Sequence, residues 1–276
     1  MAAGDIATED RARGWRGVAV EGPRGRERIR TVVVCEHDDL ACLLAERIVE
    51  VIRRERETKG CCVLGLATGS TPIGVYRELI RRQQAGEVDF ARVVTFNLDE
   101  YYPMSPESPH SFRRYMWENL FAHVGITPRH AHVPDGSVPR ERLAEACAAY
   151  EHAIREAGGI DFQILGIGKS GHIGFNEPGS AADSRTRLVT LDTVTRKDAA
   201  ADFFGEDSVP REAITMGVAT ILEAKEIALI ATGEHKAAIV RRAVEGDVCA
   251  DVAATFLQRH PDATAYLDLA AAAELT

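Results

Sequence analysis

Residues 164–178 read I-L-G-I-G-K-S-G-H-I-G-F-N-E-P: an apolar run punctuated by glycines, then one imidazole and one carboxylate five residues apart. Glycine lets the backbone take positive φ and approach a ligand closely, while adding nothing by packing. A cluster of glycines directly after a strand-like run therefore marks a site, here an irregular loop presenting His172, Asn176 and Glu177. An imidazole titrates near neutrality and can move protons, and a neighbouring carboxylate can fix its tautomer. A second glycine loop, A-T-G-S-T-P at residues 67–72, sits between a strand-like and a helix-like segment. Thr71 is a good N-cap and Pro72 suits the first helical position. The N–H groups and hydroxyls of Thr68, Gly69, Ser70 and Thr71 then point where an anion can sit. A third element is the pair Asp99 and Glu100, behind the run V-V-T-F-N-L. Neighbours on an extended chain face opposite ways, so one carboxylate faces a cleft while the other pairs or is solvated. An anion cradle, a strand-end carboxylate and a His with a nearby Glu suit acid–base chemistry on a small phosphorylated molecule.

Two familiar motifs fail on context. Residues 166–171 satisfy G-x-G-x-x-G, but a dinucleotide fingerprint opens a helix, and residues 172–178 contain Gly174 and Pro178 without an amphipathic period. Gly168-Lys169-Ser170 imitates the end of a phosphate-binding P-loop, which needs a glycine where Gln163 stands. No G-x-S-x-G elbow supports a serine nucleophile. The close pair His130 and His132 lacks matching acidic or thiol ligands and reads as a solvated loop, so no metal is demanded.

The elements that must position these groups alternate. Strands are expected over residues 30–35, 61–66, 93–98, 161–166, 227–231 and 264–269, with residues 185–191 extended. Helical spacing connects Leu40, Leu44, Ile48, Val51 and Ile52, and again Ile73, Tyr76, Leu79 and Ile80. Further helices are expected over residues 111–121, 139–157 and 195–204, and another begins at residues 233–236 and carries Ile239, Val240 and Val244. Such alternation predicts a mostly parallel sheet, whose ligands bind outside the carboxyl ends of the strands, where all three loops lie. Residues 103–110 hold three prolines and form a candidate mobile loop beside the site.

The chain of 276 residues, 45% hydrophobic, can bury one large α/β domain over residues 30–276. Residues 1–29 interleave arginines with acids, have no apolar core of a signal peptide, and read as a disordered or frayed tail. A net charge of −9 argues against nucleic-acid or anionic-membrane partners while allowing a local basic pocket. No run approaches a membrane span. Six scattered cysteines without C-x-x-C spacing are the usage of reduced thiols in a cytoplasmic protein. The sequence leaves a homo-oligomer open.

Residues 30–269 resemble the glucosamine-6-phosphate deaminase (isomerase) family. The resemblance rests on L-G-L-A-T-G-S-T-P at residues 64–72, F-N-L-D-E-Y at 96–101, S-F-R-R-Y-M from Ser111, the loop at 166–178, S-R-T-R at 184–187 and the segment 233–246. It implies a modified Rossmann-like three-layer sandwich that converts an amino sugar 6-phosphate to fructose 6-phosphate and ammonia, without cofactor or metal. By the same resemblance Asp99 is the base that moves a proton between C2 and C1. His172 assists ring opening, with Glu177 orienting or charging it, and residues 68–71 with Lys236 hold the phosphate. Two positions depart from the family pattern. Ser170 replaces an aspartate of the imidazole relay: its hydroxyl can hydrogen-bond but cannot stabilise an imidazolium as a carboxylate does. Asp202 replaces a phosphate-binding arginine and would repel phosphate, unless it faces away and Arg196, Lys197 or Lys169 compensates. Ser180 and Arg187 match the family's activator site but Val189 replaces its lysine, so activation by an N-acetylated sugar phosphate is not expected. A related lactonase acting on 6-phosphogluconolactone and a non-catalytic sugar-phosphate sensor are the rival readings. The segments F-N-L-D-E-Y and F-N-E-P favour the deaminase over the first, and the retained Asp99, His172 and Glu177 count against the second.

Overall fold

The structure is a computed structural model that describes residues 20–21 and 26–276. Of the tail expected over residues 1–29, residues 1–19 and 22–25 lie outside the described residues. The short strand β1 (Val20–Glu21) pairs antiparallel with β2 (Arg30–Val34), satisfying an otherwise open edge. Helix α1 (His37–Lys59) follows and buries Leu40, Leu44, Ile48, Val51 and Ile52, the stripe its spacing predicts. Each such burial contributes roughly 1.5–3 kcal/mol. Then come β3 (Cys62–Leu66), α2 (Ile73–Gln84) and β4 (Val93–Asn97).

After Leu98 the chain leaves this sheet. β5 (Asp99–Tyr102) belongs to a second, smaller one, and α3 (Phe112–Met116) runs through a π-helical turn into α4 (Ala122–Val124). β6 (Ala131–His132), α5 (Leu143–Glu156) and β7 (Phe162–Gly166) complete the first half. The second half contains β8 (Arg187–Thr190), α6 (Thr193–Ala199), β9 (Glu212–Thr215), α7 (Val218–Leu222), β10 (Glu226–Ala231), α8 (Ala237–Glu245) and β11 (Ala263–Asp268).

The main sheet has the order β1-β2-β11-β10-β7-β3-β4-β6, and every pairing except β1 with β2 is parallel. All residues of β3 and of β10 are buried. Since successive side chains point to opposite faces, both faces are covered, which is the expected three-layer arrangement. The second sheet, β5-β9-β8, is antiparallel.

Three expectations need correction. His130 and His132 are not both in a solvated loop: Ala131 and His132 add an edge strand to β4, and the His132 ring stacks on Phe96 at 4.5 Å. Burial accordingly lowers the His132 pKa. Asp99 does not end the third strand of the main sheet but starts a strand of the other one, because Thr215 of β9 pairs with it. The strand β9 itself was not anticipated, as its four residues carry too short an alternation to be distinguished from a loop.

Candidate active site

The carboxyl ends of β3, β4 and β7 open into a cavity of about 300 Å³. Its lining includes residues 68–71, Asp99, Gly168, His172 and Lys236, so the three loops singled out in the sequence do converge.

Asp99 and Glu100 separate as the extended backbone requires. Glu100 turns away from the cavity and accepts hydrogen bonds from Ser111 Oγ (2.7 Å) and from the backbone N–H groups of Tyr101, Phe112 and Arg113 (2.9, 3.0 and 3.1 Å). It thereby ties the start of α3 to β5. Asp99 faces the cavity, is only 6% exposed, and makes no side-chain hydrogen bond among the described residues. Burial first, and the neighbouring Glu100 charge second, push its pKa up to about 8. Gly174, at φ +55°, carries the 166–178 loop across this carboxylate. A Cβ there would lie 3.3 Å from Asp99 Oδ2 and 2.9 Å from Thr215 Oγ1, so the close pass needs glycine on both counts.

His172 also lines the cavity, and its hydrogen bonds run through Nδ1. That nitrogen is 2.9 Å from Ser170 Oγ and 3.2 Å from Glu177 Oε2. Ser170 Oγ also reaches Glu177 Oε2 at 3.4 Å. Thr195 Oγ1 donates to Glu177 Oε1 at 2.6 Å, and the Asp192 N–H donates to the same oxygen at 3.3 Å. Burial alone would raise the Glu177 pKa, but the hydrogen bond and charge of His172, with the bonds from Thr195 and Asp192, hold it below the ordinary range. Glu177 is therefore an anion and an acceptor at neutral pH. The hydroxyl of Ser170 does join this group, as a neutral bridge.

The imidazole rests against Gly168, where an added Cβ would lie 2.1 Å from both Cε1 and Nε2. Gly168→Ala should displace the ring and lower kcat/KM by about 10²-fold, the scale of an ångström-size misplacement. Steady-state kinetics beside a thermal melt checks this; a variant with normal kcat/KM would show that the position of the imidazole is immaterial.

Residues 68–71 and Lys236, expected from the sequence to hold an anion, line the same cavity. The expected cap is different in detail: Pro72 is already helical (φ −77°), α2 starts at Ile73, and no side chain caps it. The fixed φ of proline begins the winding, and the side chains of Thr68, Ser70 and Thr71 make no hydrogen bonds among the described residues. Tyr115 holds the loop in place by donating to the Gly69 carbonyl at 2.6 Å. Lys236, in the turn before α8, donates to the Ile167 carbonyl at 2.7 Å. Its pKa is lowered, mainly by burial, with Lys169 adding to the effect and Asp198 opposing it.

Asp202, an exposed residue, borders this cavity together with Asp198. Of the three candidate compensating cations, two already have partners. Lys169 Nζ pairs with Asp198 Oδ1 at 2.6 Å, and Arg196 donates to the Glu206 carbonyl at 3.0 Å. Asn176 is not presented to a ligand either. It is fully buried and donates to the carbonyls of Ile173 (2.9 Å) and Met216 (2.8 Å), while accepting from Arg187 at 2.9 Å. Arg187 also reaches Ser180 Oγ at 3.2 Å. Tyr101, Phe112 and Phe175 form an aromatic wall, with the Tyr101 ring 4.8 Å from Phe112 and 5.5 Å from Phe175. Thr195 was read only as part of a helix; nothing in its neighbourhood signals which face of α6 meets the loop. Among the described residues, no cluster of three or more His, Cys, Asp or Glu side chains is placed to hold a metal ion.

Comparison with known proteins agrees with this geometry. A profile of the family described as glucosamine-6-phosphate isomerases/6-phosphogluconolactonase matches residues 36–265. Glucosamine-6-phosphate deaminase 2 of Bacillus subtilis is 49% identical over 247 residues, covering 88% of this chain and 97% of that protein. Glucosamine-6-phosphate deaminase of Rhodopirellula baltica is 47% identical, covering 90% of this chain and 96% of its own length. Among solved structures, a monomeric glucosamine-6-phosphate deaminase superposes with a TM-score of 0.84 at 40% identity, covering 88% of this chain and 99% of that one. A 6-phosphogluconolactonase from Thermotoga maritima gives 0.67 at 25% identity, covering 86% and 99%.

Proposed function

This chain belongs to the glucosamine-6-phosphate isomerase/6-phosphogluconolactonase family, and we propose on that premise that it is an enzyme, a glucosamine-6-phosphate deaminase. The observation that carries the reading is one cavity holding a buried carboxylate, an imidazole backed by a carboxylate, and a phosphate cradle with a lysine. The higher identity and TM-score of the deaminase relatives favour this reaction over lactone hydrolysis.

The phosphate of glucosamine 6-phosphate sits against residues 68–71 and Lys236, which fixes C1 and C2 near Asp99 and the ring oxygen near His172. His172 shuttles the proton between the C1 hydroxyl and the ring oxygen as the pyranose opens to the aldehyde. The Asp99 carboxylate then takes the proton from C2, giving an enolamine, and returns it to C1. The resulting C2 imine adds water and expels ammonia, leaving the ketone of fructose 6-phosphate. Holding the remote phosphate supplies orientation, a large share of such a barrier. The substrate's ammonium group is itself a cation beside Asp99, and it draws the buried acid toward its carboxylate form.

Asp198 and Asp202 make this a weaker phosphate site than a wholly cationic one, so binding rests on Lys236 and the backbone of residues 68–71. No helix among the described residues is long and apolar enough to cross a membrane. The six thiols, all unpaired, support placement in a reducing compartment, the cytoplasm.

The deciding experiment is ammonia release and ketose phosphate formation from glucosamine 6-phosphate by the purified protein with a chelator present. Turnover is expected, undiminished by the chelator. No ammonia from this substrate, with hydrolysis of 6-phosphogluconolactone instead, would transfer the assignment to the other branch of the family.

A further inference from the structure

We propose that Thr195 is a positioning residue, which orients Glu177 so that His172 keeps its proton on Nδ1 and turns a bare Nε2 toward the sugar ring. This rests on the reading of His172 as the ring-opening group.

The hydrogen-bond count at Glu177 carries the inference. Oε1 is occupied by Thr195 Oγ1 at 2.6 Å and by the Asp192 N–H at 3.3 Å. Oε2 is thereby left facing His172 Nδ1 at 3.2 Å and Ser170 Oγ at 3.4 Å. A carboxylate can only accept, so the ring nitrogen it faces must carry the proton. Ser170 cannot enforce this alone, because a hydroxyl 2.9 Å from Nδ1 can donate as readily as accept. Thr195 Oγ1 lies 3.5 Å from Nδ1 and its single hydrogen is engaged on Glu177, so toward the imidazole it too can only accept. Every hydrogen-bond contact of the His172 side chain among the described residues is through Nδ1, which leaves Nε2 for the ligand.

Thr195 is 7% exposed and belongs to α6, which also brings Asp198 and Ala199 to the cavity wall. The helix that closes this side of the cavity thus also sets the tautomer of the imidazole. Without the Thr195 hydroxyl, Glu177 loses its shortest hydrogen bond and is held at Oε1 only by the longer contact from the Asp192 N–H. Oε2 is then less firmly aimed at Nδ1, Ser170 gains weight as its partner, and the proton distributes between the two ring nitrogens.

The test combines ¹⁵N NMR of the imidazole in the unliganded protein with steady-state kinetics. Wild type should show an Nδ1-protonated tautomer. Thr195→Val, which keeps the shape and removes the hydroxyl, should show a mixed tautomer population and a kcat lower by about tenfold or more, part of the usual acid–base contribution, with KM within about twofold. Thr195→Ser should restore both, and Thr195→Ala serves as a second hydroxyl-free variant should the valine disturb the fold. A wild-type proton on Nε2, or a folded Thr195→Val with unchanged tautomer and kcat, would overturn the proposal. Because the NMR readout needs no turnover, a wild type that releases no ammonia but shows the expected tautomer change would sink the assigned reaction and leave the positioning role standing.

Discussion

Asp99→Asn should lower turnover of glucosamine 6-phosphate by about 10²- to 10⁴-fold, the range that a positioned acid–base group contributes. Asparagine keeps the shape of the side chain but cannot accept the C2 proton. The same substitution should leave substrate binding within a few-fold, since the phosphate is held at the other end of the cavity. Ammonia release measured at saturating substrate tests the first point, and a variant with full turnover would remove Asp99 from the chemistry.

Asp99 also gives this substitution a signature in stability. Burial makes the folded state hold the Asp99 proton more tightly than the unfolded chain does, with a pKa of about 8 against an ordinary value of about 4. The stability tied to this group is complete below about pH 4 and is lost as pH rises through about 8, at up to about 1.4 kcal/mol per pH unit. Asparagine has no proton to lose. Urea denaturation should therefore show the wild type weakening relative to Asp99→Asn between pH 5 and about 8, and parallel curves would contradict the burial argument. In kinetics, the acid limb of kcat/KM should lie near pH 8 for the free enzyme. That of kcat should lie lower, because the bound substrate's ammonium stabilises the carboxylate.

Lys236→Met should raise KM for glucosamine 6-phosphate by about 10- to 100-fold, the worth of a hydrogen bond to a charged partner. Asp198 and Asp202 line the same cavity, Lys169 is already paired, and Lys236 is the one lysine or arginine in the lining among the described residues. Methionine retains much of the buried stem, so a large fall in kcat is not expected. Burial lowers the Lys236 pKa, so the free site loses its charge earlier than an exposed lysine does. KM in the wild type should accordingly climb at alkaline pH, and in Lys236→Met that rise should vanish. A KM unchanged by the substitution would place the phosphate elsewhere.

Much of this molecule was determined by local sequence. The stripe Leu40, Leu44, Ile48, Val51, Ile52 could bury itself only as one face of a helix, and the short apolar runs of β3 and of residues 227–231 in β10 fit strands covered on both sides. The glycines and polar groups at three strand ends were enough to bring the candidate site to the carboxyl edge of the sheet, where the cavity lies. The alternation of an extended chain was enough to divide Asp99 from Glu100.

What only the tertiary structure decided are the relations between segments distant in sequence. Thr215 opposite Asp99, Thr195 on Glu177, and Gly168 beneath the His172 ring each depend on how two separately folded pieces pack, and no local period encodes that. The same holds for charge. Asp202 could have stood anywhere on the surface by its spacing alone, and the packing of residues 193–203 brought it, still exposed, to the rim of the cavity. The Asp99 pKa is likewise a property of the enclosure, since an aspartate acquires a value near 8 only when other elements exclude water from it.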